Sequence, residues 1–271
     1  MCYSALVIQD LKYLGRRYGA LAVREQIASY EEASSGDSKL FPVLKERIYP
    51  GYYAPVIFKQ NGELVTELMR YGAYPPPHIK DPGRYSSFNA RRDNLTSSFW
   101  GNAFMKHHGV VVLKGFYEWV AVKDLLAAGV VALKDVEAEF AHQSQFRKEK
   151  ILAGGKKWKP TPTELKPAMD RQIIIEFKPE DGEDLLVPVI FSYNFHPQAE
   201  AQLPPNAGFA VITDDPTPEI QRAGHDRCPV ILSGEDIRIW LDFEKTNAEN
   251  LQLFLQNRRR VTFRHALTSA A

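Results

Sequence analysis

Cysteine is scarce in this chain: Cys2 and Cys228 are the two in 271 residues. That is too few for a disulfide scaffold or a cysteine-built zinc site. It fits a reducing, cytoplasmic compartment. Long apolar runs are missing as well. No stretch approaches the roughly 18 apolar residues of a membrane span, so no membrane association is expected. Residues 1–10 have neither a basic start nor an apolar core and do not read as a secretory signal. There is no charge excess either: 34 Lys+Arg against 33 Asp+Glu leave a net charge of +1. Any nucleic-acid surface must therefore be a local patch. Phosphate-loop and dinucleotide fingerprints are absent, since Gly154-Gly155-Lys156-Lys157 lacks the flanking strand and the spacing. His107-His108 has no second ligand pair at metal spacing, so neither a metal nor another cofactor is expected.

What is present is an ordinary globular composition, 44% hydrophobic and 25% charged. Residues 3–8 read as a strand. The apolar spacing of Leu11, Leu14, Tyr18, Leu21 and Ile27 predicts a helix over about 10–32. Gln60-Asn61-Gly62-Glu63 reads as a hairpin tip behind a strand around 56–58. The prolines of Tyr74-Pro75-Pro76-Pro77-His78 exclude a regular element. Strands are expected at 109–119, 173–177, 187–193, 208–213 and 229–232. A helix is expected over 132–151 with Leu133, Val136, Phe140 and Ile151 on one face. A basic loop is expected over 154–162, a short helix or turn over 216–224, and one or two helices over 234–256. The sum is an α+β fold, a single domain over 1–271 with mostly antiparallel sheet.

Four short stretches carry chemistry. Loss of Met1 would leave Cys2 with a free α-amine beside its thiol. A 1,2-aminothiol traps aldehydes, because the amine, with a pKa near 8, forms an imine on which the thiol closes a thiazolidine. The bland alternative is that Cys2 is simply the second residue. Asn89-Ala90-Arg91 follows an aromatic, polar lead-in. Its amide can orient a sugar and its guanidinium suits phosphate, though a turn with a surface arginine would look the same. In Gly115-Phe116-Tyr117-Glu118-Trp119 a carboxylate sits between aromatics. If buried, it becomes a proton carrier; if Glu118 faces outward, it is an ordinary solvated residue. Gly224-His225-Asp226-Arg227 places a histidine, suited to acid–base work, in a loop before a strand, with Arg227 able to meet a phosphate.

An N-terminal Met-Cys, Asn-Ala-Arg, Gly-Phe-Tyr-Glu-Trp and His-Asp-Arg-x-Pro-Val-Ile-Leu in that order resemble the SRAP family, the SOS-response-associated peptidases, whose members crosslink abasic sites in DNA. Ile48-Tyr49-Pro50-Gly51 and Phe263-Arg264-His265 are similar to its early turn and last strand. The resemblance implies a single domain on a distorted antiparallel barrel with peripheral helices and an insertion at about 121–170. It implies a partner, single-stranded DNA containing abasic sites, and a cytoplasmic protein that joins the nucleoid when bound. Cys2, Asn89, Glu118 and His225 would be catalytic: Cys2 crosslinks, Asn89 positions the amine or opened sugar, and Glu118 and His225 move protons in lyase- or peptidase-like chemistry. Arg91, Arg227 and Arg84 would hold phosphates, and Tyr71, Tyr74 or Phe88 would stack on bases. The chain departs from the family at Tyr3-Ser4, where Gly-Arg is usual, and at Tyr71-Gly72-Ala73-Tyr74-Pro75-Pro76-Pro77, where a tryptophan wedge is usual. Two other readings stay open: an N-terminal-nucleophile cysteine peptidase with His225 as base, and a non-covalent single-strand-binding module. Arg147, Lys148, Lys150, Lys156, Lys157 and Lys159, with Trp158 among them, are either a solvated helix end and loop or a second DNA surface.

Overall fold

A computed structural model of the chain describes residues 4–22, 47–80, 87–193, 207–242 and 247–268. Cys2, Arg84 and the part of the expected first helix beyond residue 22 lie outside the described residues. In chain order the elements are β1 (Ser4–Val7), α1 (Leu11–Tyr18), β2 (Leu21–Ala22), β3 (Arg47–Ile48), β4 (Tyr53–Gln60), β5 (Glu63–Tyr71) and β6 (Asn89–Arg91). There follow α2 (Gly101–Lys106), β7 (His108–Ala121), α3 (Val122–Ala127), α4 (Leu133–Ala153), β8 (Gln172–Pro179), β9 (Leu185–Tyr193) and β10 (Ala207–Asp214). Last come α5 (Pro218–Arg222), β11 (Cys228–Pro229), α6 (Asp236–Leu241), α7 (Ala248–Gln256) and β12 (Phe263–Thr268).

The first helix is shorter than its apolar spacing suggests. Asp10 caps its start by accepting from the Tyr13 N–H at 3.0 Å. Gly19, at φ 73°, stops it in the left-handed region with Arg16 and Arg17 in the last turn. Leu21 is not on the helix; it pairs with Val65 in a parallel strand contact. The hairpin expectation holds. Asn61 and Gly62 both have positive φ, 52° and 87°, between β4 and β5, the twist that a two-residue turn between right-twisted strands requires. The expected strand at 229–232 shrinks to Cys228–Pro229 plus a single bridge from Leu232 to Leu186.

Five strands form a ring. β4 pairs with β5, and β5 meets β10 in a short parallel contact at Gly208↔Arg70 and Phe209↔Tyr71. β10 pairs with β9, β9 with the first half of β7, and β7 returns to β4 at Val110 and Gly109. Side chains alternate strictly across it. Val111, Val187, Val189, Phe209 and Val211 join one core. Val110, Val112, Leu186, Ile190, Ala210 and Ile212 join a second, closed by Leu14, Phe104, Trp240 and Leu255 of the flanking helices. Strands buried on both faces read as continuous apolar runs, which is why 109–113 and 208–213 show no alternation in sequence.

The second half of β7 leaves the ring and carries β1 on one edge and β8 on the other, with β3 and β12 outside them. At the changeover the pairing with β1 slips: Leu6 faces Gly115 but Val7 faces Leu113, so Lys114 is extra. This bulge inverts the facing of every later residue. Val111 and Leu113 before it, and Phe116 and Val120 after it, all enter the same core. Glu118, between the last two, is therefore turned inward.

The short β5–β10 contact depends on missing side chains. The Gly72 N–H donates to the Phe209 carbonyl at 2.8 Å. A Cβ on Gly208 would sit 2.3 Å from the Gly72 carbonyl oxygen. Gly208→Ala should consequently destabilise the protein by about 1–3 kcal/mol or more. Gly234→Ala, where a Cβ meets nothing within 4 Å, should change stability little. Urea unfolding of the two variants checks this; equal midpoints would mean that the ring does not depend on the close approach.

Candidate functional site

The site is built where β7, the end of β10 and the turn after α5 converge. Glu118 is 1% exposed, on the inward face set by the bulge. After α5 the chain turns sharply: the Gly224 N–H donates to the Gln221 carbonyl and the His225 N–H to the Ile220 carbonyl, at 2.9 and 3.1 Å. Gly224 has φ 81°, and a Cβ there would lie 2.8 Å from Asp124 Cβ and 3.1 Å from Val120 Cγ1. Glycine thus lets this turn lie flat against the end of β7. The result is a contact of 3.1 Å between His225 Nε2 and a Glu118 carboxylate oxygen.

The other ring nitrogen, Nδ1, lies 2.9 Å from the Arg227 carbonyl oxygen. Nδ1 can donate there or accept from the Arg227 N–H at 3.3 Å; where it donates, Nε2 and the carboxylate share one proton. They are either carboxylic acid and neutral imidazole, or carboxylate and imidazolium. Burial pushes the Glu118 carboxyl up from its ordinary value, and the hydrogen bond and charge of His225 oppose that. A buried carboxyl and an imidazole joined this way can pass a proton in either direction.

Strand register sets the remaining candidates around β10. On one edge Val211 faces Asn89 and Thr213 faces Arg91; on the other, Thr213 faces Pro229 and Asp214 faces Cys228. Asn89 is buried, 6% exposed. Arg91 is exposed and bonds the Asp93 carboxylate. That bond holds Asp93 below the usual carboxylate range. Arg227 is nearly buried, its Nη1 3.5 Å from Asp215. Asp214, buried and set between Arg92 at 2.8 Å and Arg258 at 3.0 Å, forms a cluster that no local motif announces. Arg92 and Arg258 come from distant parts of the chain, and their proximity follows only from the fold.

Two further placements revise the sequence reading. Tyr71 is 1% exposed and stacks on Phe209 at 5.2 Å, with Phe88 edge-on at 5.7 Å; its ring serves the core and is not available to a base. Tyr74 and Phe88 are half-buried. Cys228 is also buried, and burial pushes its thiol up to about 11, which makes it a poor nucleophile. Among the described residues no cluster of His, Cys, Asp and Glu is arranged to hold a metal, and no helix is long and apolar enough to cross a membrane.

The α+β ring has known counterparts. The family described as SOS response associated peptidase (SRAP) matches residues 15–268, and the chain belongs to it. The matched region begins after Cys2. No curated protein matches the chain. Among solved structures, a protein of Bordetella bronchiseptica is 14% identical with a TM-score of 0.60, over 99% of this chain and 100% of that one. A protein of Bacteroides thetaiotaomicron is 12% identical with a TM-score of 0.61, over 98% and 91%. A phage-related protein of Bordetella bronchiseptica is 18% identical with a TM-score of 0.51, over 85% and 87%. At these identities the likeness establishes the fold.

The raised Glu118 carboxyl has a consequence for stability. Its folded pKa lies above its unfolded one, so its contribution is fully present below the unfolded value and is lost as pH rises through the folded value. Glu118→Gln removes that loss. The melting temperature of the variant relative to wild type should be more favourable at pH 8 than at pH 4. A difference that is flat with pH, or of opposite sign, would show that His225 fully offsets the burial.

Proposed function

We propose that the protein senses abasic sites in single-stranded DNA and shields them by covalent attachment through Cys2. The observation that carries this is the Glu118–His225 contact of 3.1 Å in the wall of a SRAP-fold site. β1 begins at Ser4, paired with Tyr117, one residue from Glu118.

The chemistry proceeds in two balanced steps. Once Met1 is removed, the neutral α-amine attacks the C1′ aldehyde of the ring-opened sugar and water leaves, giving an imine. The thiol then adds to the imine carbon, its proton passing to the nitrogen, and a thiazolidine closes. Both steps need a proton delivered to an oxygen or nitrogen and another removed, which is the task of Glu118 and His225. Asn89 orients the amine or the opened sugar. Arg91 and Arg227 meet the flanking phosphates, Arg91 by exchanging Asp93 for phosphate, and Tyr74 and Phe88 offer ring surface to bases. Of the two thiols, the high pKa of Cys228 leaves the role to Cys2.

Intact mass spectrometry after incubation with uracil-excised single-stranded DNA tests the proposal. The expected adduct has the mass of protein lacking Met1 plus DNA minus one water. Cys2→Ala should give none, and Cys2→Ser at best a labile imine. Glu118→Gln and His225→Ala should slow adduct formation by roughly 10²–10⁴-fold. Wild-type crosslinking by Cys2→Ala, or a mature protein that retains Met1, would sink the idea. Peptide cleavage dependent on Cys2, with no adduct, would point instead to an N-terminal-nucleophile peptidase.

A further inference from the structure

Trp119 follows Glu118 on β7 and faces the opposite side of the strand. It opens into a cleft between α4 and the segment 159–172 with a volume of about 600 Å³, within the range of small-molecule sites. Trp119 is 40% exposed, Phe146 is 54% exposed, and Phe140 closes the base of the cleft. Exposed aromatic rings converging on one cavity are the feature that a solvated helix end does not explain.

Around those rings cations outnumber acids, Arg147, Lys150 and Arg171 against Glu164. The cleft's single carboxylate, Glu164, is occupied: it accepts from Arg147 at 2.7 Å and from the Thr161 N–H and hydroxyl at 2.6 and 2.8 Å. Lys150 and Arg171 also line the cleft, and neither forms an ion pair among the described residues. The Arg171 guanidinium lies flat over the Phe140 ring at 3.4 Å, and its Nε has no hydrogen-bond partner. Lys148 sits over the Trp158 ring at 5.5 Å on the adjoining surface. Ring faces flanked by cations in excess of acids are what a base attached to a phosphate requires.

We propose that this cleft is a second binding site that takes one nucleotide of a single DNA strand, its base against Trp119 and Phe146 and its phosphate on Lys150 and Arg171. The inference rests on the reading that the protein meets single-stranded DNA, but not on the crosslink. Glu118 and Trp119 are adjacent residues on opposite faces of β7, so the cleft and the acid–base pair lie on different sides of the sheet.

The test uses the full chain and a fluorescein-labelled 15-nucleotide thymidine strand without an abasic site, with anisotropy measured against salt. Phe146 and Lys150 lie outside the acid–base site and are exposed, so substituting them leaves the packing intact. Phe146→Ala should weaken binding roughly 5- to 100-fold, the worth of one stacked base. Lys150→Gln should reduce the slope of log affinity against log salt by about 0.7, the loss of one phosphate contact. Both variants should form adduct at the wild-type rate in saturating abasic DNA. Thymidine monophosphate, added as competitor, should displace only weakly, since it offers one base and one phosphate. Wild-type affinity and slope in both variants would overturn the proposal. Binding of the mononucleotide without binding of the strand would overturn the strand as occupant. If no adduct forms with any DNA but strand binding still depends on Phe146 and Lys150, the crosslinking proposal fails and the cleft stands.

Discussion

The bulge at Lys114 is the constraint on which the rest of the structure depends. β7 runs through two arrangements of strands, closing the ring with its first half and supporting the outer sheet with its second. One extra residue lets it serve both cores from the same face. That residue is also anchored. The Lys114 ammonium bonds Asp184 at 2.6 Å, and Asp184 in turn accepts from the hydroxyls of Tyr13 and Tyr18, each at 2.6 Å. Asp184 immediately precedes β9, the strand that pairs with the first half of β7. The bulge, α1 and the start of β9 are thus tied at one carboxylate, and a slip of β7 by one residue would break the Lys114 bond while turning Glu118 to the outside.

Two buried carboxylates show how the same desolvation serves opposite ends. Asp184 and Glu118 are 7% and 1% exposed. Burial raises both, but at Asp184 the lysine and two tyrosines outweigh it and hold the group below the usual carboxylate range. It stays charged and acts as a rivet. At Glu118 the imidazole of His225 opposes burial without overcoming it, and the carboxyl stays above its ordinary value. A buried carboxyl in contact with an imidazole has a partner to which its proton can pass. Asp184 is the less deeply buried and has three donors, whereas at Glu118 deeper burial prevails over the single imidazole, and both differences separate the structural acid from the candidate catalytic one.

The features legible in the sequence are those fixed by neighbours in the chain. The Asn61-Gly62 turn, the apolar runs of β7 and β10, the stop imposed by three prolines and the glycine before His225 each carry their reason within a few residues. The family pattern was legible for the same kind of reason, in short motifs spread from Cys2 to His265. What was not legible depends on register. Alternation alone left Glu118 free to face either way, and only the unpaired Lys114 decides it. Tyr71 lies within a motif-like stretch, yet Phe209, far along the chain, takes its ring face. The helix beginning at Leu11 was over-extended because Leu21 continues its spacing by coincidence, from a strand position beyond the left-handed Gly19.

The bulge also explains why two different surfaces meet at consecutive residues. A strand presents alternate side chains to opposite faces. Once Lys114 has turned Glu118 inward, Trp119 has no choice but to face outward, over the edge where α4 and the segment 159–172 leave their cleft. Tyr117, on that same outward face, is held by Glu176 at 2.7 Å and covered by the Arg47 guanidinium at 3.7 Å, so its ring is already occupied. Trp119 is the next outward ring along the strand and remains 40% exposed. The acid–base pair and the aromatic cleft are therefore not independent placements. A single inserted residue aims one side chain of β7 at the interior and turns its successor toward the cleft on the other side.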